Sequence, residues 1–191
     1  MNSHSKSLLA LVLAISIAAT GCNAQWINIA LQDLPVLTQM ALNIAGLVGT
    51  FSGRQANPAD LAVIQNISAQ AGRDLNLLQS LYAEYKASPN AATLAKIQGV
   101  VSDINQNLPA LLESAHVSNP LLTARLTAAV NLILTTVNSF AALIPSQSPV
   151  KARKLVTPLP TVSDLKRQWN LQVCAPAEGA NAGQPAQCAM R

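Results

Sequence analysis

Apolar residues recur at alternating steps of three and four along four separate stretches of this chain. No other feature constrains its fold as strongly. The first stretch carries Leu34, Leu37, Ala41, Ile44, Val48 and Phe51, and the second Leu61, Ile64, Ser68, Ala71, Leu75, Leu78, Tyr82 and Tyr85. The third carries Leu94, Ile97, Val101, Ile104, Leu108, Leu111 and Ala115, and the fourth Leu122, Leu126, Ala129, Ile133, Thr136, Phe140 and Leu143. Such a spacing puts one apolar seam on each helix, the pattern of helices packed near +20°. Asn66, Arg73, Gln106, Glu113, Asn131 and Asn138 fall on the opposite faces. Asn57-Pro58, Ser88-Pro89 and Asn119-Pro120 each place a capping side chain before a proline at the first helical position. There the missing N–H costs nothing, and the side-chain oxygen accepts a free backbone N–H. The three prolines are 31 residues apart. The side chains that follow them do not align at that spacing, which indicates helices of equal length rather than a sequence repeat. Short connections make neighbouring helices antiparallel. The expectation is an all-α fold: an up-and-down four-helix bundle over residues 22–145, about 40 Å long at ~1.5 Å per residue.

Composition agrees with that architecture. Half of the chain is apolar, yet it holds only six aromatic residues, a balance that suits helices packed through Ala and Leu better than a β-sandwich. Pro35 either kinks the first helix or marks its start after Asp33, leaving residues 23–32 as a separate short segment. Pro109 falls on the outward face of the third pattern, where a solvent-side kink is expected. The fourth stretch has Arg125 as its one charge between Pro120 and Pro145, but Asn131, Thr135, Thr136, Asn138 and Ser139 make it a poor membrane span and a better buried helix.

The N-terminus places the protein. Lys6 precedes an apolar run from Leu8 to Ala19, the basic and apolar regions of a secretory leader too short to cross a bilayer comfortably. The run ends in Ala19-Thr20-Gly21-Cys22, which resembles the lipobox of bacterial lipoproteins, with Ala19 where Leu is commonest. The resemblance covers only these first residues. It implies a leader over 1–21 and a diacylglycerylated, N-terminal Cys22 carrying acyl chains in the membrane. Asn23, being other than Asp, implies the periplasmic face of the outer membrane. The alternative is an ordinary secreted protein cut after Ala24, with Cys22 lost in the leader.

Charge is unevenly placed. Asn23 to Val150 holds five cations and six acids, whereas Lys151 to Arg191 holds six cations and two acids. The helical part is near neutral and the positive charge lies beyond it, so no nucleic acid partner is indicated. Residues 146–160 form a Pro-rich linker around Lys151, Arg153 and Lys154, which either touches acidic polymers or headgroups or is simply solvated. Residues 161–191 are expected to give a short amphipathic helix followed by a flexible, disordered tail. Thr161 and Asp164 would form a capping box, with Val162, Leu165 and Trp169 on one face as a docking surface. With Cys22 acylated, Cys174 and Cys188 are left as a pair in an oxidising compartment, either joined by a disulfide, which is the expectation, or two free thiols in a disordered tail. Closing a loop of that size is worth ~3 kcal/mol in the entropic account.

Catalytic chemistry is not evident. Beyond the leader His116 is the single histidine, no Glu-x-x-His or His-x-x-x-His pair exists, and there is no Gly-rich phosphate loop or Gly-x-Ser-x-Gly elbow. Asp60, Asp74, Glu84, Asp103 and Glu113 are scattered near helix starts or outer faces. A non-enzymatic helical envelope protein without metal or cofactor is expected, a structural or partner-binding subunit whose protein partner the residues do not name. A carrier holding a small apolar ligand near Tyr82 and Tyr85 is the alternative, against plain core aromatics. Trp26, four residues from Cys22, sits either at headgroup level or under the end of the helices.

Overall fold

The computed structural model describes residues 26–51, 57–144, 159–175 and 188–191, and among the described residues the regular structure is all helical, with no strand. The leader, Cys22, the basic part of the linker and residues 176–187 lie outside them. The helices are α1 (26–44), α2 (Gly46–Phe51), α3 (Pro58–Ala87), α4 (Ala91–Ser114), α5 (Pro120–Ala141) and α6 (Val162–Gln172).

Capping sets the starts of the long helices. Asn57 Oδ1 accepts from Ala59 N at 2.9 Å ahead of α3, and Asn119 Oδ1 accepts from Leu121 N and Leu122 N ahead of α5, with Pro58 and Pro120 inside the first turn. The α4 start differs from the expected Ser88-Pro89 pair. Asn90 is the cap, its Oδ1 accepting from Thr93 N at 2.8 Å, while the Ser88 N–H donates back to Glu84 O and closes α3. A residue before proline is pushed out of the α region, so Ser88 ends one helix and Pro89 spaces it from the next. Replacing Asn119 by alanine is expected to lower stability by about 1 kcal/mol. A urea midpoint unchanged by that substitution would show that the cap is dispensable.

Pro35 does not divide α1. The helix runs through it unbroken to Ile44, because Pro35 is exposed and both its ring and its missing N–H fall on the solvent side. Likewise α4 continues past Pro109 to Ser114.

The heptad seams form the core. Leu34, Leu37, Ala41, Ile44 and Val48 on α1 and α2, and Ile64 through Tyr82 on α3, are buried. So are Leu94 to Leu108 on α4 and Leu122 to Phe140 on α5, at the expected positions. Trp26 packs on Tyr82 while Ser68 Oγ donates to Ala41 O at 2.7 Å, so numbers rise along α1 as they fall along α3 and the two helices are antiparallel. Asn105 and Asn138 exchange side-chain amide hydrogen bonds of 2.8 and 2.9 Å between α4 and α5.

α5 is buried more widely than its seam predicts. Val130, Leu132 and Val137 are covered as well, since α2, α4 and α6 all pack against this helix and enclose it on more than one face. By length and composition α5 could cross a membrane. Its apolar residues are instead spent on neighbouring helices.

The expected tail is part of the same core. α6 starts with the capping box: the Asp164 N–H donates to Thr161 Oγ1, and Asp164 Oδ2 accepts from the Thr161 N–H. Hydrogen bonds from Thr161, and then the Arg167 guanidinium, hold the Asp164 carboxyl below its usual range. Leu165 and Trp169 are 0% exposed, and Val173, Cys174 and Cys188 are buried beside them. Residues 159–175 and 188–191 therefore pack as a component of the fold and not as a flexible extension, because an indole of this size is buried only by being enclosed.

Candidate functional site

Three places hold polar groups whose surroundings exceed what packing alone requires: the clasp around α6, the aromatic end of α1 and α3, and a buried carboxyl in α1.

The clasp is built from the C-terminal residues folded back on α6. Cys174 and Cys188 are disulfide-bonded. Trp169 Nε1 donates to Cys188 O at 2.9 Å in a buried bond. Asn170 holds Met190 at both backbone atoms: its Nδ2 donates to Met190 O and its Oδ1 accepts from Met190 N. Lys166 Nζ donates to Arg191 O. Across from these, Arg125 on α5 donates to Gln172 O at 2.8 Å and to Ala175 O at 3.1 Å. A cation at a helix C-terminus answers the partial negative charge of its last carbonyls, so the one charge of α5 locks α6 in place. Val162, Leu165 and Trp169, expected as a docking face, thus dock within the chain. Leu165 and Trp169 are sealed, and Val162 is half-buried. A partner would have to use another surface.

At the other site, Trp26 meets Tyr82 edge to face, with ring centroids 5.5 Å apart, and Tyr85 at 6.5 Å. Tyr82 is fully buried and Tyr85 partly so. Among the described residues neither Trp26 Nε1 nor the Tyr82 hydroxyl has a hydrogen-bond partner. Burial alone pushes the Tyr82 hydroxyl well above the usual phenol range. The ring positions match an aromatic plug in the core. The two unsatisfied polar atoms do not.

In the sequence Asp33 marks one possible start of α1, and nothing in that reading indicates its burial. It is 2% exposed, Oδ2 has no partner, and burial pushes its pKa up to about 6. The available signal was its position midway along the Trp26–Met40 face of a continuous helix. Reading Pro35 as a boundary hid that face.

The remaining titratable side chains serve as ties. Asp60, buried at the start of α3, accepts from the Ser118 hydroxyl at 2.6 Å and from its N–H, joining that start to the α4–α5 link. Glu84 accepts from the Thr93 hydroxyl at 2.6 Å across the α3–α4 link, and Asp74 accepts from Gln70. His116 is exposed just past α4, with Nδ1 3.0 Å from Ser114 O. Asp103 and Glu113 face solvent. Among the described residues no three His, Cys, Asp or Glu side chains gather as a metal site. Two surface grooves, of about 470 Å³ beside Val36 and Met190 and about 390 Å³ between α5 and the start of α6, are lined by neither Tyr82 nor Tyr85. No family model, no curated protein and no solved structure matches this chain.

Proposed function

We propose that this is a lipid-anchored, non-enzymatic protein of the cell envelope, held at the periplasmic face of the outer membrane by acyl chains on Cys22. Its helices α1 and α3–α5 form an up-and-down four-helix bundle that serves as a structural or partner-binding subunit. The observation that carries this reading is how the reactive side chains are used. Asp60, Glu84, Arg125, Trp169 and the Cys174–Cys188 pair each join one segment of the chain to another. A fold that uses Asp60, Glu84 and Arg125 as internal ties retains rigidity and shape, which is what a scaffold offers a partner. The disulfide suits an oxidising compartment, in keeping with the lipobox-like Ala19-Thr20-Gly21-Cys22.

The test combines mass spectrometry of the N-terminal peptide with crosslinking from native membranes, comparing the wild type with Cys22→Ala. The expected result is an acylated Cys22, release of Cys22→Ala from the membrane fraction, and a specific protein enriched only with the acylated form. An unmodified Cys22 peptide would overturn the anchoring. An acylated, membrane-bound protein that enriches nothing would overturn the partner-binding role.

A further inference from the structure

The two surface grooves differ in what their polar groups already do. Between α5 and the start of α6, Asp164 pairs with Arg167, and the Thr136 and Ser139 hydroxyls donate to carbonyls of their own helix. The groove of about 470 Å³ between α1 and the clasp is less committed. Val36 and Met190, both half-buried, give it apolar walls, while Gln39, Asn43, Lys166 and Arg191 bring polar groups to the same space. No Asp or Glu side chain lines it. We propose that this groove is a docking site for an extended, acidic peptide segment of a partner protein. The inference deepens the partner-binding reading given above and rests on it.

Both walls are in place before any partner arrives. Asn170 holds Met190 through both backbone atoms, two residues after the Cys174–Cys188 bridge, and Lys166 Nζ donates to Arg191 O. The opposite wall is one continuous helix. A groove ordered beforehand costs a ligand less to occupy.

The open hydrogen-bonding groups select a peptide. Gln39 Nε2 donates to Asn43 Oδ1 at 3.0 Å, one turn further along α1. Gln39 Oε1 is left as an acceptor and Asn43 Nδ2 as a donor, neither with a partner among the described residues. A backbone peptide unit offers the complementary N–H and C=O, whereas a small inorganic anion offers acceptors alone.

Charge then selects among peptides. Lys166 commits an N–H to Arg191 O, but the exposed Arg191 guanidinium has no partner among the described residues. A guanidinium takes a carboxylate through two parallel hydrogen bonds. An Asp or Glu beside an apolar residue would set its carboxylate on Arg191, its backbone on Gln39 and Asn43, and its neighbour on Val36 and Met190.

The side-chain amide resonances of Gln39 and Asn43 and the backbone amide of Met190 report on the groove. They are followed in the full mature chain carrying Cys22→Ala, with four separate additions. These are short blocked glutamate–leucine peptides, the same peptides with lysine for glutamate, acetate, and phosphatidylglycerol vesicles. The acidic peptides are expected to shift all three signals saturably, and less strongly as salt is raised. Arg191→Gln and Gln39→Ala should each weaken binding about threefold, and together about tenfold. An unchanged Trp169 indole signal in those variants shows that the clasp is intact. No saturable shift up to about 1 mM acidic peptide overturns the proposal. So do equal shifts with the lysine peptides, which reduce the groove to an apolar patch, or with acetate, which make it a small-anion site. Shifts with vesicles alone overturn it in favour of a bilayer contact. Crosslinking from native membranes separates this inference from the reading beneath it. A protein enriched equally by wild type and by the Arg191→Gln, Gln39→Ala double variant leaves partner binding standing and overturns the groove. If nothing is enriched, the partner-binding reading fails by itself and the peptide titration alone decides the groove.

Discussion

Replacing Trp169 by alanine is expected to remove about 3–5 kcal/mol of stability, the usual range for deleting a fully buried large aromatic. The residue is 0% exposed, sits on α6, which packs against α5, and donates to Cys188 O. Single domains are stable by only about 5–15 kcal/mol, so this one change takes a large share. The melting temperature should fall by on the order of 10 °C. Trp169→Phe separates the causes: it keeps most of the packing and loses the N–H, for a loss of about 1–2 kcal/mol. Both are read from denaturant midpoints at constant m-value. A Trp169→Ala protein that unfolds within about 1 kcal/mol of wild type would mean that α6 is an appendage and not part of the core.

The second large effect is a pH dependence set by Asp33. Its folded pKa, about 6, lies above the ordinary aspartate value of 3.8 that holds in the unfolded chain. The folded protein therefore binds the extra proton between those values, and the contribution of Asp33 to stability is fully present below about pH 4. That contribution is lost as pH rises through 6. Above that the buried carboxylate is ionised with its Oδ2 unpartnered, at a penalty of up to about 3 kcal/mol, from 1.36 kcal/mol per pH unit. Asp33→Asn keeps the shape and removes the titration. It should match wild type near pH 4 and exceed it by up to about 3 kcal/mol at pH 7.5. A stability difference between the two proteins that stays constant from pH 4 to pH 8 would refute this assignment.

These two residues also mark where the sequence stops being readable. A heptad seam reports one buried face per helix, and for that face the described positions from Leu34 to Phe140 are buried, apart from Leu61, Tyr85, Leu111 and Ala115 near helix ends, which are half-buried. It is silent about a second face, so Val130, Leu132 and Val137 gave no sign that another helix covers them. The Cys174–Cys188 pair is legible in the sequence, but the hydrogen bonds that complete the clasp are not, for a related reason. Ala175 to Arg191 has the composition of a disordered segment, and nothing in that composition signals that Asn170 and Trp169 will bind the backbone of Met190 and Cys188. Side chains paired with backbone leave no pattern in residue types. Asp60 illustrates the same gap. It looked like an acid at a helix start, and only the fold brings Ser118 from the next-but-one helix link to bury and bond it.

The cysteine pairing carries a consequence for how the chain matures. Three thiols allow three possible disulfides, and two of them would consume Cys22. Cys174 and Cys188 are separated by 14 residues, whereas a bridge to Cys22 must close a loop roughly ten times longer. Each doubling of loop length disfavours closure by ~0.6 kcal/mol, so over three doublings the native pair forms about thirtyfold more readily by proximity alone. Under the lipid-anchor proposal, oxidation is thus steered away from Cys22 before any tertiary structure exists. The thiol that would carry the anchor is left reduced and open to acylation by simple chain statistics.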